Sequence, residues 1–194
     1  MSKLETNTID TVSGTTNLVI GSTNTSSITL GASGDTITMP NGALTGQNYP
    51  AFSAKMSSAQ GLSNNTNTKL NFDSELIDTD SAYDATTNYR FTVPSGKAGK
   101  YVFSLQAFAR GQSVGDFGYI VTKIYKNGSQ LLSTIHNDND NPGYGATGNV
   151  VVMDDASVGD YYEPYVFAYA SAGLTIDVTD QGGCDHFYGY RIGA

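Results

Sequence analysis

Between Lys100 and Phe108 apolar side chains fall on alternate residues. Tyr101, Phe103, Leu105 and Ala107 share one face, and Lys100, Ser104 and Gln106 lie on the other. A period of two marks a strand with one buried face. Shorter runs of the same character stand at Ala51–Met56, Leu70–Asp73, Arg90–Pro94, Tyr119–Tyr125, Leu131–Ile135, Val150–Met153, Tyr161–Ala170, Leu174–Val178 and Phe187–Ile192. Between two of them lies Lys126-Asn127-Gly128-Ser129, and Asn-Gly between apolar runs predicts a tight hairpin. No long window has helical periodicity. About eight to ten strands after Tyr49-Pro50 predict an all-β sandwich, most simply a jelly roll.

The first 48 residues carry a different pattern. Leu18-Val19-Ile20-Gly21 is followed by Ile28-Thr29-Leu30-Gly31 and then by Ile37-Thr38-Met39-Pro40. Each unit is a three-residue strand with apolar ends, closed by Gly or Pro. Such regular short strands suggest stacked β-rungs. One rung offers too few apolar side chains to bury a core alone. Leu18, Ile20, Ile28, Leu30, Ile37 and Met39 are therefore expected to form the core of a trimeric stalk, three chains burying them about one axis. The competing reading is a disordered Thr/Ser/Asn linker, but a linker has no need of a repeated apolar phase.

Composition sharpens the division. All 13 Tyr and 8 Phe lie at or after Tyr49, while residues 1–48 hold a single Lys, Lys3. The expected organisation is a β-repeat stalk over 1–48 and a head over 49–194. Ten Lys and Arg against 18 Asp and Glu give a net charge of −8, so no nucleic-acid partner held by phosphate contacts is expected. No apolar run approaches the ~18 residues of a membrane-spanning helix. Met1 to Asp10 has no apolar core of a secretory signal. One cysteine, Cys184, and two histidines, His136 and His186, give neither an internal disulfide nor a zinc-ligand set. No phosphate-binding glycine loop is present. Catalysis is not expected.

The head resembles the globular C1q/TNF-like domain. Pro50-Ala51-Phe52-Ser53-Ala54 is similar to that family's first strand. Tyr83-Asp84 with Tyr89-Arg90-Phe91-Thr92-Val93-Pro94, then Gly99-Lys100-Tyr101-Val102-Phe103-Ser104, follow its order of motifs. Lys126-Asn127-Gly128, Val158-Gly159-Asp160 and Phe187-Tyr188-Gly189-Tyr190-Arg191-Ile192 resemble its turn, its central Gly-Asp and its last strand. The collagen-like stalk of the animal proteins is missing. The segment before the head, with its Thr/Ser/Asn repeat, resembles the N-terminal parts of bacteriophage virion and tail-fibre proteins, those of marine phages especially. Together the two resemblances imply a homotrimer, located in the virion, made in the host cytoplasm and joined to other virion proteins through its N-terminal segment. A weakly charged Thr/Asn surface suits such a particle, because salt bridges are screened where the Debye length falls to ~3 Å at 1 M salt, and hydrogen bonds are not.

Candidate sites are few. In His136-Asn137-Asp138-Asn139-Asp140-Asn141-Pro142-Gly143, Asp138 and Asp140 stand at the alternate spacing a hard cation such as Ca²⁺ uses. Some C1q-like heads bind calcium at the trimer apex. Pro142 and Asn149 stand where a calcium loop would place further ligands, so a plain solvated loop remains the alternative. No other cofactor is expected. The loop 136–149 is expected to be the longest stretch of the head without an apolar run. Its His136, Asp138, Asp140 and Tyr144 suit sugar hydroxyls and one stacked ring, as a receptor-binding loop would. Asp78, Asp80 and Asp84, and Asp154, Asp155 and Asp160, could pair for glycoside hydrolysis, but read better as turn residues. Along Tyr161–Tyr169, Phe167 and Tyr169 share the face of Tyr165. Tyr162, on the other face, is a candidate for sugar stacking, a subunit contact or the core. Cys184 beside Asp185 and His186 lacks the setting of a nucleophile.

Three functions compete: a host-attachment fibre or spike contacting a surface glycan or protein, a capsid decoration or connector protein, and a depolymerase. No carboxylate arrangement supports the third.

Overall fold

The alternating run at 100–108 forms the strand it predicts, and that strand is the spine of a sheet. The computed structural model describes residues 49–111, 115–137, 145–171, 176–178 and 185–193, together with Thr36. The chain divides into two units, Met1–Gly46 and Gln47–Ala194, and all described residues except Thr36 belong to the second. Leu18, Ile20, Ile28, Leu30, Ile37 and Met39 lie outside the described residues.

Among those residues the strands are β1 (Ala51–Lys55), β2 (Gln60–Leu62), β3 (Thr68–Lys69), β4 (Ser74–Asp78), β5 (Tyr83–Asp84), β6 (Arg90–Thr92), β7 (Gly99–Arg110), β8 (Phe117–Lys126), β9 (Ser129–Asn137), β10 (Gly145–Ala156), β11 (Tyr161–Ala170), β12 (Ile176–Val178) and β13 (His186–Gly193). In the first sheet β10, β7, β13, β1 and β4 lie side by side. Beyond the end of β13, β12 pairs with the last residues of β7 and carries β2. The second sheet runs β5, β6, β11, β8, β9, with β3 also on β11. Sequence neighbours cross between sheets, as a jelly roll requires. No helix is present among the described residues.

The inward faces meet in an aromatic core. Phe52 stacks on Tyr83 and on Phe91, each at 4.9 Å between ring centroids, and Phe103 stacks on Tyr162 at 3.8 Å. Tyr101, Phe103, Leu105 and Ala107 of β7 are fully buried, as the period of two required. Tyrosine is admitted to this core because each hydroxyl finds an acceptor. Tyr83 donates to Phe72 O at 3.0 Å, Tyr101 to Lys97 O at 2.7 Å and Tyr162 to Asp154 Oδ2 at 2.5 Å. Burial pushes the Tyr101 phenol up to about 12.

The Asn-Gly hairpin forms as expected. Asn127 and Gly128 both take positive φ, 52° and 77°, the handedness that matches the twist of β8 and β9.

Three expectations need correction. Leu70–Asp73 is not a strand. Leu70 and Phe72 are buried, but the Leu70 amide donates to Pro164 O and the Asn71 amide to Gln60 Oε1, so the segment packs as a connection. The strand at Val150–Met153 is far longer, because Ala146 and Gly148 face inward without bulky side chains. At Gly148 a Cβ would stand 2.5 Å from Thr122 Cγ2, so close approach of β10 to β8 selects glycine there. With β9 running to Asn137 and β10 starting at Gly145, the connection spans 138–144 rather than 136–149. Tyr162, by contrast, takes the core place that the sequence left open to it: it is fully buried.

Candidate functional site

The two outer faces of the sandwich differ in one respect that decides the site. The second sheet turns aromatic side chains outward, but they cover one another. Tyr125 stacks on Tyr165 at 4.2 Å, and Tyr119 lies 5.5 Å from Tyr169 with their planes 30° apart. Cations cap others: the Arg90 guanidinium sits 4.1 Å from the Tyr161 ring centroid and Lys123 Nζ 5.4 Å from that of Phe167. Lys69 pairs with Glu163 on the same surface. Each of these rings is half-buried within one chain.

The first sheet turns outward a larger apolar set that the described residues leave uncovered; on the second sheet Ile135 of β9 is comparably exposed, at 62%. Cross-strand register lays it out in rows. Ala51, Tyr190, Val102 and Met153 form one row, across β1, β13, β7 and β10. Ile77, Ser53, Tyr188, Ser104 and Val151 form the next. Relative exposure is 64% for Met153, 54% for Ile77, 53% for Val151 and 43% for Tyr190. Large apolar side chains this exposed on one sheet face mark an association surface. Small Ser53 and Ser104 between them are buried.

On the β1–β4–β13 side this face holds an open apolar hollow of about 360 Å³, bordered by Ala51, Phe52, Ser53, Ile77, Tyr188 and Tyr190. At its edge Ser53 Oγ and His186 Nε2 share a hydrogen bond of 2.5 Å, and the imidazole lies 5.3 Å from the Tyr188 ring. Burial holds the His186 pKa below its ordinary value, favouring the neutral ring.

The residues singled out from the sequence fall as follows. His136 lies on β9 opposite Ile120 and is exposed. Asp138, Asp140 and Tyr144 lie outside the described residues, as does Cys184, and with them the candidate calcium loop. Among the described residues no group of three or more His, Cys, Asp or Glu is placed to hold a metal ion. The aspartates at 78–84 act as turn acceptors. Asp78 accepts the amides of Ala82 and Tyr83, and Asp84 those of Thr86 and Thr87. These hydrogen bonds hold the Asp84 carboxyl well below the usual range. Asp154 and Asp160 share the ammonium of Lys126. Asp80 and Asp84 both border an open hollow of about 340 Å³ with Tyr83 and Pro94, and there Asp84 is committed to the amides of its own turn.

Sequence reasoning missed the exposed face. Val151 and Met153 read as ordinary strand positions and Ile77 lay in no expected strand; the signal that existed was apolar residues on both faces of one strand, at Val150, Val151, Val152 and Met153.

No family model matches this chain, and no curated protein matches it. Solved structures do. The globular domain of zebrafish complement 1qA protein superposes with a TM-score of 0.52 at 16% identity, over 74% of this chain and 98% of that one. Murine APRIL superposes with a TM-score of 0.51 at 11% identity, over 75% of this chain and all of that one, 100%. At these identities the likeness speaks for the fold: the head is a C1q/TNF-like jelly roll.

Proposed function

We propose that this chain is a homotrimeric virion structural protein of a bacteriophage, a fibre or spike whose jelly-roll head contacts the host surface. The role is one of assembly and binding, not catalysis. The observation that carries the assembly is the outer face of the first sheet, where Ile77, Val151, Met153 and Tyr190 stand exposed while the opposite face covers its own aromatic rings. Burying that face against further copies removes its apolar area from water, worth roughly 25 cal/mol per Å². A C1q/TNF-like head and a repeat stalk with three apolar units are both suited to threefold assembly, and the weakly charged Thr/Ser/Asn composition suits a particle exposed to any ionic strength.

Light scattering of the full chain at micromolar concentration tests the assembly. The expected mass is three times the 20.5 kDa of one chain, and a folded monomer overturns it. Immunogold labelling of particles then tests the place: label at tail or fibre tips supports attachment, whereas label spread over the capsid favours a decoration protein instead.

A further inference from the structure

The outward face of the second sheet carries chemistry that assembly through the first sheet leaves unused. Tyr119, Tyr125, Tyr161, Tyr165 and Tyr169 lie on it with Phe167. Each core tyrosine, Tyr83, Tyr101 and Tyr162, donates its hydroxyl to an acceptor within the chain. None of the five outward hydroxyls has a hydrogen-bond partner among the described residues. Two cations flank the aromatic line of β11, Arg90 from β6 and Lys123 from β8. Neither forms an ion pair among the described residues. Lys123 Nζ has Asn67 Oδ1, at 2.6 Å, and the Phe167 ring. Burial lowers the Lys123 pKa, as for an ammonium that has lost water without gaining a counter-ion. Glu163, the carboxylate of β11 on this face, is taken by Lys69.

We propose that this face binds an acidic polysaccharide, with carboxylates at Lys123 and Arg90 and sugar hydroxyls among the five tyrosine hydroxyls. This rests on the attachment reading above and names its ligand class. A partner here must supply hydrogen-bonding groups and negative charge together. Nucleic acid supplies the charge, but its bases need uncovered ring faces to stack on. Here neighbouring rings and cations take those faces. Sugar hydroxyls need only the phenol oxygens and ring edges, which the paired rings leave outward. In a chain of net charge −8 an anion is held only where unpaired cations stand, so loss of either cation should be felt strongly.

The test is binding of the full chain to immobilised polygalacturonate and polysialic acid, beside neutral dextran and the single-stranded polyanion poly(dT). Binding to at least one of the two carboxylated polymers is expected, with none to dextran and weaker binding to poly(dT). Lys123→Gln, which keeps a donor for Asn67, and Arg90→Gln should each weaken it at least tenfold. Tyr165→Phe, which removes a hydroxyl and keeps the ring, should weaken it a few-fold. Lys97→Gln, in the turn before β7, should leave it unchanged. Melting temperatures equal to the parent's show that the variants are folded; should one melt lower, the polymer panel on the parent still decides. Failure of both carboxylated polymers to bind overturns the proposal, as does dextran or poly(dT) bound as tightly as they are, or equal losses from Lys97→Gln and Lys123→Gln. Polysaccharide binding with immunogold label spread over the capsid would remove the attachment reading alone. Label at fibre tips with no polysaccharide binding would remove this inference alone.

Discussion

Lys126 Nζ stands 3.0 Å from Asp160 Oδ2, and through that pair the hairpin turn after β8 is fastened to the turn between β10 and β11. The same ammonium lies 2.7 Å from Asp154 Oδ2, whose oxygen also accepts the Tyr162 hydroxyl. Asn127 completes the joint: its Nδ2 donates to Asp160 Oδ1 at 2.8 Å and its Oδ1 accepts the Tyr161 amide at 2.9 Å. Burial alone would lower the Lys126 pKa, but its hydrogen bonds to Asp154 and Asp160 outweigh that and raise it.

Lys126→Met should therefore destabilise the head by about 1–3 kcal/mol, because it leaves two partly buried carboxylates without their cation. Tyr162→Phe should cost less, about 1 kcal/mol, since Lys126 still serves Asp154. Urea unfolding at neutral pH measures both. A Lys126→Met protein as stable as the parent would show the joint to be ornamental.

Gly189 is required by packing. A Cβ there would stand 2.5 Å from Phe103 Cδ1 and 2.9 Å from Phe52 Cε1, both in rings locked in the aromatic core. Gly189→Ala should lower stability by about 1–3 kcal/mol through overpacking. Thermal unfolding of the variant beside Gly61→Ala, where a Cβ meets nothing within 4 Å, separates this from a general loss of glycine.

Thr122 offers a change in the opposite direction. Its Oγ1 is buried in the core with no hydrogen-bond partner among the described residues. Thr122→Val removes a hydroxyl that lost its water on folding and should raise stability by about 1 kcal/mol. A lower denaturation midpoint would mean that the hydroxyl is satisfied in solution.

His186 sets a pH dependence. Burial depresses its folded pKa below the ordinary 6.5, so the folded state resists protonation that the unfolded state accepts. The stability it permits is whole above that value and is lost as pH falls from 6.5 through the lower folded pKa. Melting temperature at fixed concentration should fall over this window, and His186→Gln, which keeps a polar side chain beside Ser53, should flatten that part of the profile. An unchanged slope would assign the pH dependence to other groups.

Much of the head was legible because a strand with one buried face writes its period into the chain. Tyr101, Phe103, Leu105 and Ala107 announced β7, Tyr161–Ala170 announced β11, and Asn127-Gly128 announced a turn whose positive φ values only such residues adopt readily. The order of the short motifs was enough for the jelly roll. Short edge elements such as β2, β3 and β5 were not legible, since two or three residues carry no period. Nor was the reach of β10, where Gly148 and Ala146 face inward and look, in sequence, like a loop.

What the sequence alone determined is thus local: which residues alternate, where the chain turns, and how composition changes near Tyr49. Only the tertiary structure decided which surface is left over. Val151 and Tyr165 are both outward residues on long strands, and nothing in their own neighbourhoods separates them. Tyr165 is covered because β8 brings Tyr125 within 4.2 Å of it. Val151 is not, because β10 lies at the edge of its sheet and its outward neighbour across β7 is the small Ser104. Exposure of an apolar side chain depends on what the far end of the chain places beside it, and that is settled by register and sheet order, which no local pattern encodes.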